Sequence, residues 1–160
     1  MIRIPHQLTE NVKLLHKIVI KSGDRILLLK RSQEAASRPG CWDLPGGNSE
    51  WPQTTNSGFN LHAHDVVREI KEETSIDVDT DLINQSNLTY FSTYFDANKQ
   101  IYTVICGWKI ILNDQPAVGL SNEHAEYIWA DITHIDSFDF GGAKGEFIKD
   151  IIQKGSVFSD

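Results

Sequence analysis

The chain has 160 residues, 40% of them hydrophobic and 23% charged, and carries a net charge of -7 at pH 7. That length suits one compact domain over residues 1–160, and so ordinary a composition excludes a repeat, low-complexity or largely disordered protein. The acidic balance excludes a general nucleic-acid binder, which needs a basic face against the phosphates, but not a small phosphorylated ligand bridged to the protein by a divalent cation.

No apolar run reaches the ~20 residues needed to cross a bilayer. The opening Met1-Ile2-Arg3-Ile4-Pro5-His6 has no apolar secretory core, so a cytoplasmic protein without membrane contact is expected. Cys41 and Cys106 stand alone, without Cys-x-x-Cys or Cys/His spacing, and are expected as buried free thiols rather than as disulfide or zinc ligands.

In chain order, residues 13–20 and 25–30 are apolar, partly β-branched runs on either side of Lys21-Ser22-Gly23-Asp24, which predicts a β-hairpin closed at Ser-Gly-Asp. A polar loop from Arg31 to Gly40 leads to a short strand at Cys41-Trp42-Asp43-Leu44 and a sharp turn at Pro45-Gly46-Gly47. Asn48 to Phe59 is a second polar loop. From residue 61 to 75 the period becomes helical, with Ala63, Val66, Val67, Ile70 and Thr74 on one stripe and Asn60 placed to cap the first turn. Strand-like runs follow at Leu88–Phe95 and Ile101–Leu112, joined across residues 96–100, and at Tyr127–Ala130. Gly145 to Lys154 closes the chain's pattern as an amphipathic helix. Strands on both sides of a central helix, with another helix at the end, predict an α/β fold: a mixed β-sheet covered by helices on both faces. Trp42, Trp108 and Trp129 alternate within strand runs and are expected in the core.

The first helix carries Arg68-Glu69-Ile70-Lys71-Glu72-Glu73. Glu69, Glu72 and Glu73 fall at i, i+3 and i+4, with Asp65 one turn earlier. Like charges at these spacings repel by some tenths of a kcal/mol per pair, and anions near a helix C-terminus also oppose its dipole. A hard cation, Mg2+ or Mn2+, would offset both, because it prefers carboxylate oxygens and is readily shared with substrate phosphates.

The segment Arg68-Glu69-Ile70-Lys71-Glu72-Glu73-Thr74-Ser75-Ile76 resembles the second half of the Nudix box: Arg-Glu, an aliphatic residue, any residue, Glu-Glu, any residue, Gly, an aliphatic residue. Lys30-Arg31-Ser32 with Arg38-Pro39-Gly40-Cys41-Trp42-Asp43-Leu44-Pro45-Gly46-Gly47 upstream, and Glu123-His124-Ala125-Glu126-Tyr127-Ile128-Trp129 downstream, look like that family's flanks. The resemblance covers about residues 13–153. Three departures stand out: Ser75 occupies the box glycine, Asn60 the box glutamate, and Gly47 lies 21 residues before Arg68 rather than 14, an insertion of seven. Ser75 must then make the turn that glycine normally makes.

The resemblance implies an α/β/α sandwich and a metal-dependent hydrolase that cleaves a pyrophosphate bond. It implies Glu69, Glu72 and Glu73 as metal ligands, joined by a backbone carbonyl of Gly46 or Gly47, with Mg2+ as cofactor and Mn2+ as substitute. Arg68 would orient Glu69 or Glu72 through its guanidinium fork. Glu123, His124 and Glu126 are candidates for the general base or a further metal ligand. Arg31 and Arg38 are placed to meet a distal phosphate, and Trp51 to stack on a base or close over the site. His62 and His64 are expected to be structural or solvent-facing. Tyr90 and Tyr94 lie where some family branches choose substrate, although tyrosines also serve strands for packing. The substrate is a nucleotide-type small molecule; a nucleotide sugar, ADP-ribose and a nucleoside triphosphate all remain open, as does a homodimer. Two rival readings are a nucleotide-binding sensor of the same fold that does not cleave its ligand, and an interaction domain whose acidic helix is only a solvated face.

Overall fold

The computed structural model describes residues 11–50 and 62–157. Six strands make one mixed sheet: β1 (Val12–Ser22), β2 (Arg25–Arg31), β3 (Trp42–Asp43), β4 (Leu88–Asp96), β5 (Ile101–Ile111) and β6 (His124–Asp131). The order is β3-β2-β1-β5-β4, with β6 along the other side of β2. β1 runs parallel to β5 in register from Val12↔Tyr102 to Lys21↔Ile111, and the remaining pairs are antiparallel. No helix among the described residues is long and apolar enough to cross a membrane.

Side-chain alternation along the strands divides the core into two layers. Ile18 and Ile20 of β1, Leu27 and Leu29 of β2, and Trp108 and Ile110 of β5 bury one face against Val66 and Ile70 of α1 (Ala63–Thr74). Val19, Ile26, Leu28 and Ile105 bury the other against Ile148, Ile151 and Ile152 of α2 (Glu146–Ser156). The architecture is the α/β/α sandwich with a mixed sheet that the pattern predicts. Trp108 is fully buried; Trp42 and Trp129 are half-buried and pack against the two layers. Cys41 and Cys106 are free and half-buried rather than enclosed.

The predicted hairpin forms, but only at its closed end. β1 and β2 pair at Lys21↔Ile26 and Ser22↔Arg25 and then part. The chain after β3 enters the opening: the Ile18 amide donates to the Pro45 carbonyl (2.9 Å), His16 N–H to the Gly47 carbonyl (2.9 Å), and Ser49 N–H to the Leu14 carbonyl (2.9 Å). The Pro-Gly-Gly turn is thereby stitched to the middle of the sheet rather than left at its rim. Gly46 has φ +140°, and a Cβ there would lie 2.0 Å from the His16 carbonyl oxygen, so only glycine fits.

Helix α1 begins at Ala63, with His62 in the left-handed region at the cap position and no side-chain cap hydrogen bond. The helix thus starts at Ala63 rather than at about 61, because the left-handed backbone of His62 is not helical. The expected cap, Asn60, lies outside the described residues, as does Trp51. At the other end Ser75 takes the left-handed turn (φ 62°) expected of it and closes the helix by donating its amide to the Lys71 carbonyl. Its hydroxyl donates to the Gly119 carbonyl at 3.0 Å, and the Gly119 amide donates to the Thr74 carbonyl at 2.9 Å. These bonds offset the cost of about 1 kcal/mol that a Cβ brings to this conformation.

Gly46→Ala is expected to lower unfolding free energy by about 3 kcal/mol or more, through strain at positive φ and overlap with β1. Urea denaturation monitored by tryptophan fluorescence measures it, and a loss under ~1 kcal/mol would contradict the turn geometry.

Candidate functional site

The same turn faces the acidic helix. The Gly46 amide donates to Glu73 Oε2 at 2.8 Å, and a Cβ on Gly47 would lie 2.6 Å from Glu69 Oε2. The second glycine thus leaves room for Glu69 as the first leaves room for β1. Glu69 and Glu73, one helical turn apart, both press on the turn. Glu72 points aside: its side chain is 58% exposed, against 16% for Glu69. Among the described residues no three His, Cys, Asp or Glu side chains are gathered closely enough to hold a metal ion. Glu69 and Glu73 meet at the turn, while Glu72 is more exposed; Arg68 Nη1 touches both Glu69 and Glu72.

The electrostatics of that pair are unusual. Glu73 is buried, and its pKa is pushed up to about 8, first by burial and further by the charges of Glu69 and Asp43, against the pull of Lys17 and the Gly46 amide. Burial likewise raises Glu69, with Glu72 and Glu123 adding to the rise and Arg68 opposing it. Two carboxylates that resist ionisation beside a turn rich in backbone polar groups form a hard-oxygen donor set, and a divalent cation is the partner that makes their charge affordable. Their oxygens are of the hard type that Mg2+ or Mn2+ prefers. Of the two carbonyls considered, that of Gly47 already accepts the His16 amide.

Arg68 does what its fork suggests: Nη1 lies 3.0 Å from Glu69 Oε1 and 3.1 Å from Glu72 Oε2. Arg31 and Arg38 meet a different carboxylate. Asp43, fully buried, has Oδ2 at 3.0 Å from Lys17 Nζ, 3.0 Å from Arg31 Nη1 and 2.9 Å from Arg38 Nη2. Burial alone would raise its carboxyl, yet the three cations bring it below the usual range. Arg38 is further spent on the Phe140 carbonyl (3.1 Å) and over the Phe147 ring. Arg31 keeps part of its surface, with its side chain 24% exposed.

A cleft of about 660 Å3 adjoins these groups; Gly46, Gly47 and Glu73 line it together with Lys17, Arg31, Arg38, Lys144, Glu123 and His124, while Glu69 is not among its lining residues. The late segment is tied to the loop before β3 by a hydrogen bond from the Ser32 amide to the Glu123 carbonyl (2.9 Å). His124 is buried with Nδ1 lacking a hydrogen bond among the described residues, and burial lowers its pKa. The charged neighbours it feels are Asp43, Lys17, Arg31 and Glu123, whereas Glu123 is felt at Glu69. Glu126 instead pairs with Lys30 at 3.6 Å and does not line the cleft. Tyr90 packs on the α2 layer and Tyr94 is exposed. His64 is exposed, and His62 Nδ1 lies 3.1 Å from Asp65.

Sequence reasoning passed over Lys17, Asp43 and His16 as partners of the site, and placed Asp65 on the acidic face without naming its partners. A signal existed for the first three: His16 and Lys17 interrupt an apolar strand, and Asp43 sits between Trp42 and Leu44. Polar residues inside short apolar runs are buried with partners or not at all.

The chain's neighbours among solved structures share this architecture. A MutT protein from Methanosarcina mazei Go1 superposes with a TM-score of 0.66 at 21% identity, over 92% of this chain and 97% of the other. A MutT NUDIX hydrolase from Burkholderia pseudomallei gives 0.65 at 21%, over 91% and 98%. The E. coli dihydroneopterin triphosphate pyrophosphohydrolase gives 0.63 at 19%, over 90% and 93%. Comparison with curated proteins by sequence gives no significant match. The family model for the NUDIX domain matches residues 17–151, a span that holds the turn, the acidic helix, the cationic cluster on Asp43 and the late segment together, and the chain belongs to the Nudix family of pyrophosphohydrolases.

Proposed function

We propose that the chain hydrolyses the pyrophosphate bond of a nucleoside diphosphate linked to another group, such as a nucleotide sugar, ADP-ribose or a nucleoside triphosphate, with Mg2+ as cofactor and Mn2+ as substitute. The observation that carries this reading is Glu73, a buried carboxylate held against the Gly46 amide with its pKa pushed up to about 8. Burying such a group is costly unless a cation neutralises it. Glu69, Glu72 and Glu73 would hold the ion together with a carbonyl of the Gly46-Gly47 turn. Bound there, Mg2+ supplies charge neutralisation for the phosphoryl oxygens and makes a water more acidic.

The chain's own groups supply the rest. Glu123, whose charge reaches Glu69, is the better-placed base for the attacking water; neutral His124, with its unbonded Nδ1, is left to orient substrate. Arg31 and Lys144 line the same cleft as Gly46, Gly47 and Glu73 and would meet the phosphates there, since a guanidinium recognises phosphate oxygens. Arg38 acts at one remove by fixing Asp43, and hence Arg31 and Lys17, in place.

A panel of nucleotide sugars, ADP-ribose and nucleoside triphosphates assayed with Mg2+ tests the reading. At least one is expected to be cleaved, with Glu73→Gln or Glu69→Gln lowering kcat by roughly 10²-fold or more. Tight nucleotide binding without turnover, unchanged by these substitutions, would instead establish a sensor.

Without metal, a pKa raised from 4.5 to about 8 means that the folded state keeps a proton on Glu73 that the unfolded chain has lost. That contribution is whole below about pH 4.5 and is lost as pH rises to about 8. His16, whose pKa is lowered to about 4 by burial, acts only below its ordinary 6.5. Between pH 6.5 and 8 the metal-free protein is therefore expected to lose up to ~1.4 kcal/mol of stability per pH unit, and Glu73→Gln to flatten that slope. Mn2+ binding should strengthen over the same window, because it needs the ionised carboxylate. Thermal melts across pH, with and without Mn2+, measure both trends.

A further inference from the structure

Beneath the acidic face runs a polar path that the reading above does not use. Trp108 Nε1–H donates to His16 Nδ1 at 3.0 Å, which makes Nδ1 an acceptor and leaves the imidazole proton on Nε2. That nitrogen lies 2.7 Å from Ser49 Oγ and donates to it. The Ser49 hydroxyl in turn hydrogen-bonds Asp65, which also takes the Glu50 amide and lies 3.1 Å from His62 Nδ1. Asp65 Oδ1 is 3.6 Å from Arg68 Nη2. This nitrogen is buried and makes no hydrogen bond among the described residues; its nearby anions are Asp65 and, at 3.8 Å, Glu50. The other arm of the same guanidinium holds Glu69 and Glu72.

The path therefore joins three parts of the fold: the buried middle of the sheet through Trp108 and His16, the strand-like segment that leaves the Gly46-Gly47 turn through Ser49, and helix α1 through Asp65. We infer that Asp65 is a positioning residue, the anchor through which the sheet and the turn set Arg68 and thereby the aim of Glu69 and Glu72. The inference rests on the functional reading above for what those glutamates do, but not for the geometry of Arg68. An acid in the first turn of a helix also favours the helix dipole, so stability alone does not identify the role. Three features separate it from a plain first-turn acid. Its side chain is only 19% exposed, it collects donors from the Ser49-Glu50 segment as well as from the helix's own cap residue His62, and it faces the arm of Arg68 that lacks a hydrogen bond.

Asp65→Asn keeps an acceptor for Ser49 and His62 and removes the charge facing Arg68. In the metal-free protein, nitrogen-15 NMR of the Arg68 guanidinium is expected to show restricted rotation in the wild type and faster rotation in Asp65→Asn. Titration with Mn2+ alone should give about tenfold weaker binding in the folded variant, and kcat should fall about tenfold with KM within about twofold. Asp65→Glu should recover part of both. Ser49→Ala, which leaves every charge in place but cuts the join to His16, should weaken Mn2+ binding by a smaller factor and serves if Asp65→Asn does not fold. Unchanged Arg68 rotation together with wild-type Mn2+ affinity in these variants would overturn the inference. A wild type that shows the restricted Arg68 but neither binds Mn2+ nor cleaves any nucleotide would sink the functional reading and leave the anchor standing.

Discussion

The hydrogen bond from the Gly46 amide to the buried carboxylate of Glu73 is the contact on which the site depends. It exists only because β1 and β2 separate after two residue pairs and the Pro-Gly-Gly turn fills the gap. The turn is then held by three backbone bonds to β1, and helix α1 is held over the same strand by Val66 and Ile70. Turn and helix share one support, so the spacing between amide and carboxylate is fixed by the sheet rather than by the loop that connects them. A long connection between Gly47 and Arg68 is compatible with such a support, because the cost of closing a loop grows only slowly with its length.

Burial and charge partners sort the carboxyls around the site. Glu69 and Glu73 are pushed toward neutrality first of all by burial, which Arg68 and Lys17 only partly oppose. Asp43, fully buried, is pulled to its ionised form by three cations that converge on one oxygen. Three positive charges on a single carboxylate leave a surplus, and that surplus faces the cleft through Arg31. The buried carboxyl of Glu73 and the cations Arg31, Lys17 and Lys144 thus border the same cleft. Lys17 links the two carboxyls: it bonds Asp43 and lowers the pKa of Glu73.

The departures from the box have local physical answers where the structure describes them. Ser75 adopts the left-handed turn and recovers part of its cost through Gly119. Arg68 finds carboxylates on both arms: Glu69 and Glu72 on one, and Asp65 of the same helix with Glu50 from the preceding loop on the other.

The sequence by itself determined the elements and the chemistry of the acidic face. Two-residue and 3.6-residue periods named the strands and both helices, and the i, i+3, i+4 spacing with its Arg-Glu and Glu-Glu pairs named the box, because these are properties of neighbours along the chain. Only the tertiary structure decided which polar residues act together. The parting of β1 and β2, the convergence of Lys17, Arg31 and Arg38 on Asp43, and the path from Trp108 through His16 and Ser49 to Asp65 join residues up to 92 positions apart. Such joins follow from strand register and burial, which no local pattern encodes. For the same reason Glu72, indistinguishable from Glu69 and Glu73 by spacing, turned outward: what separates them is how near each comes to the turn, and the sheet sets that distance.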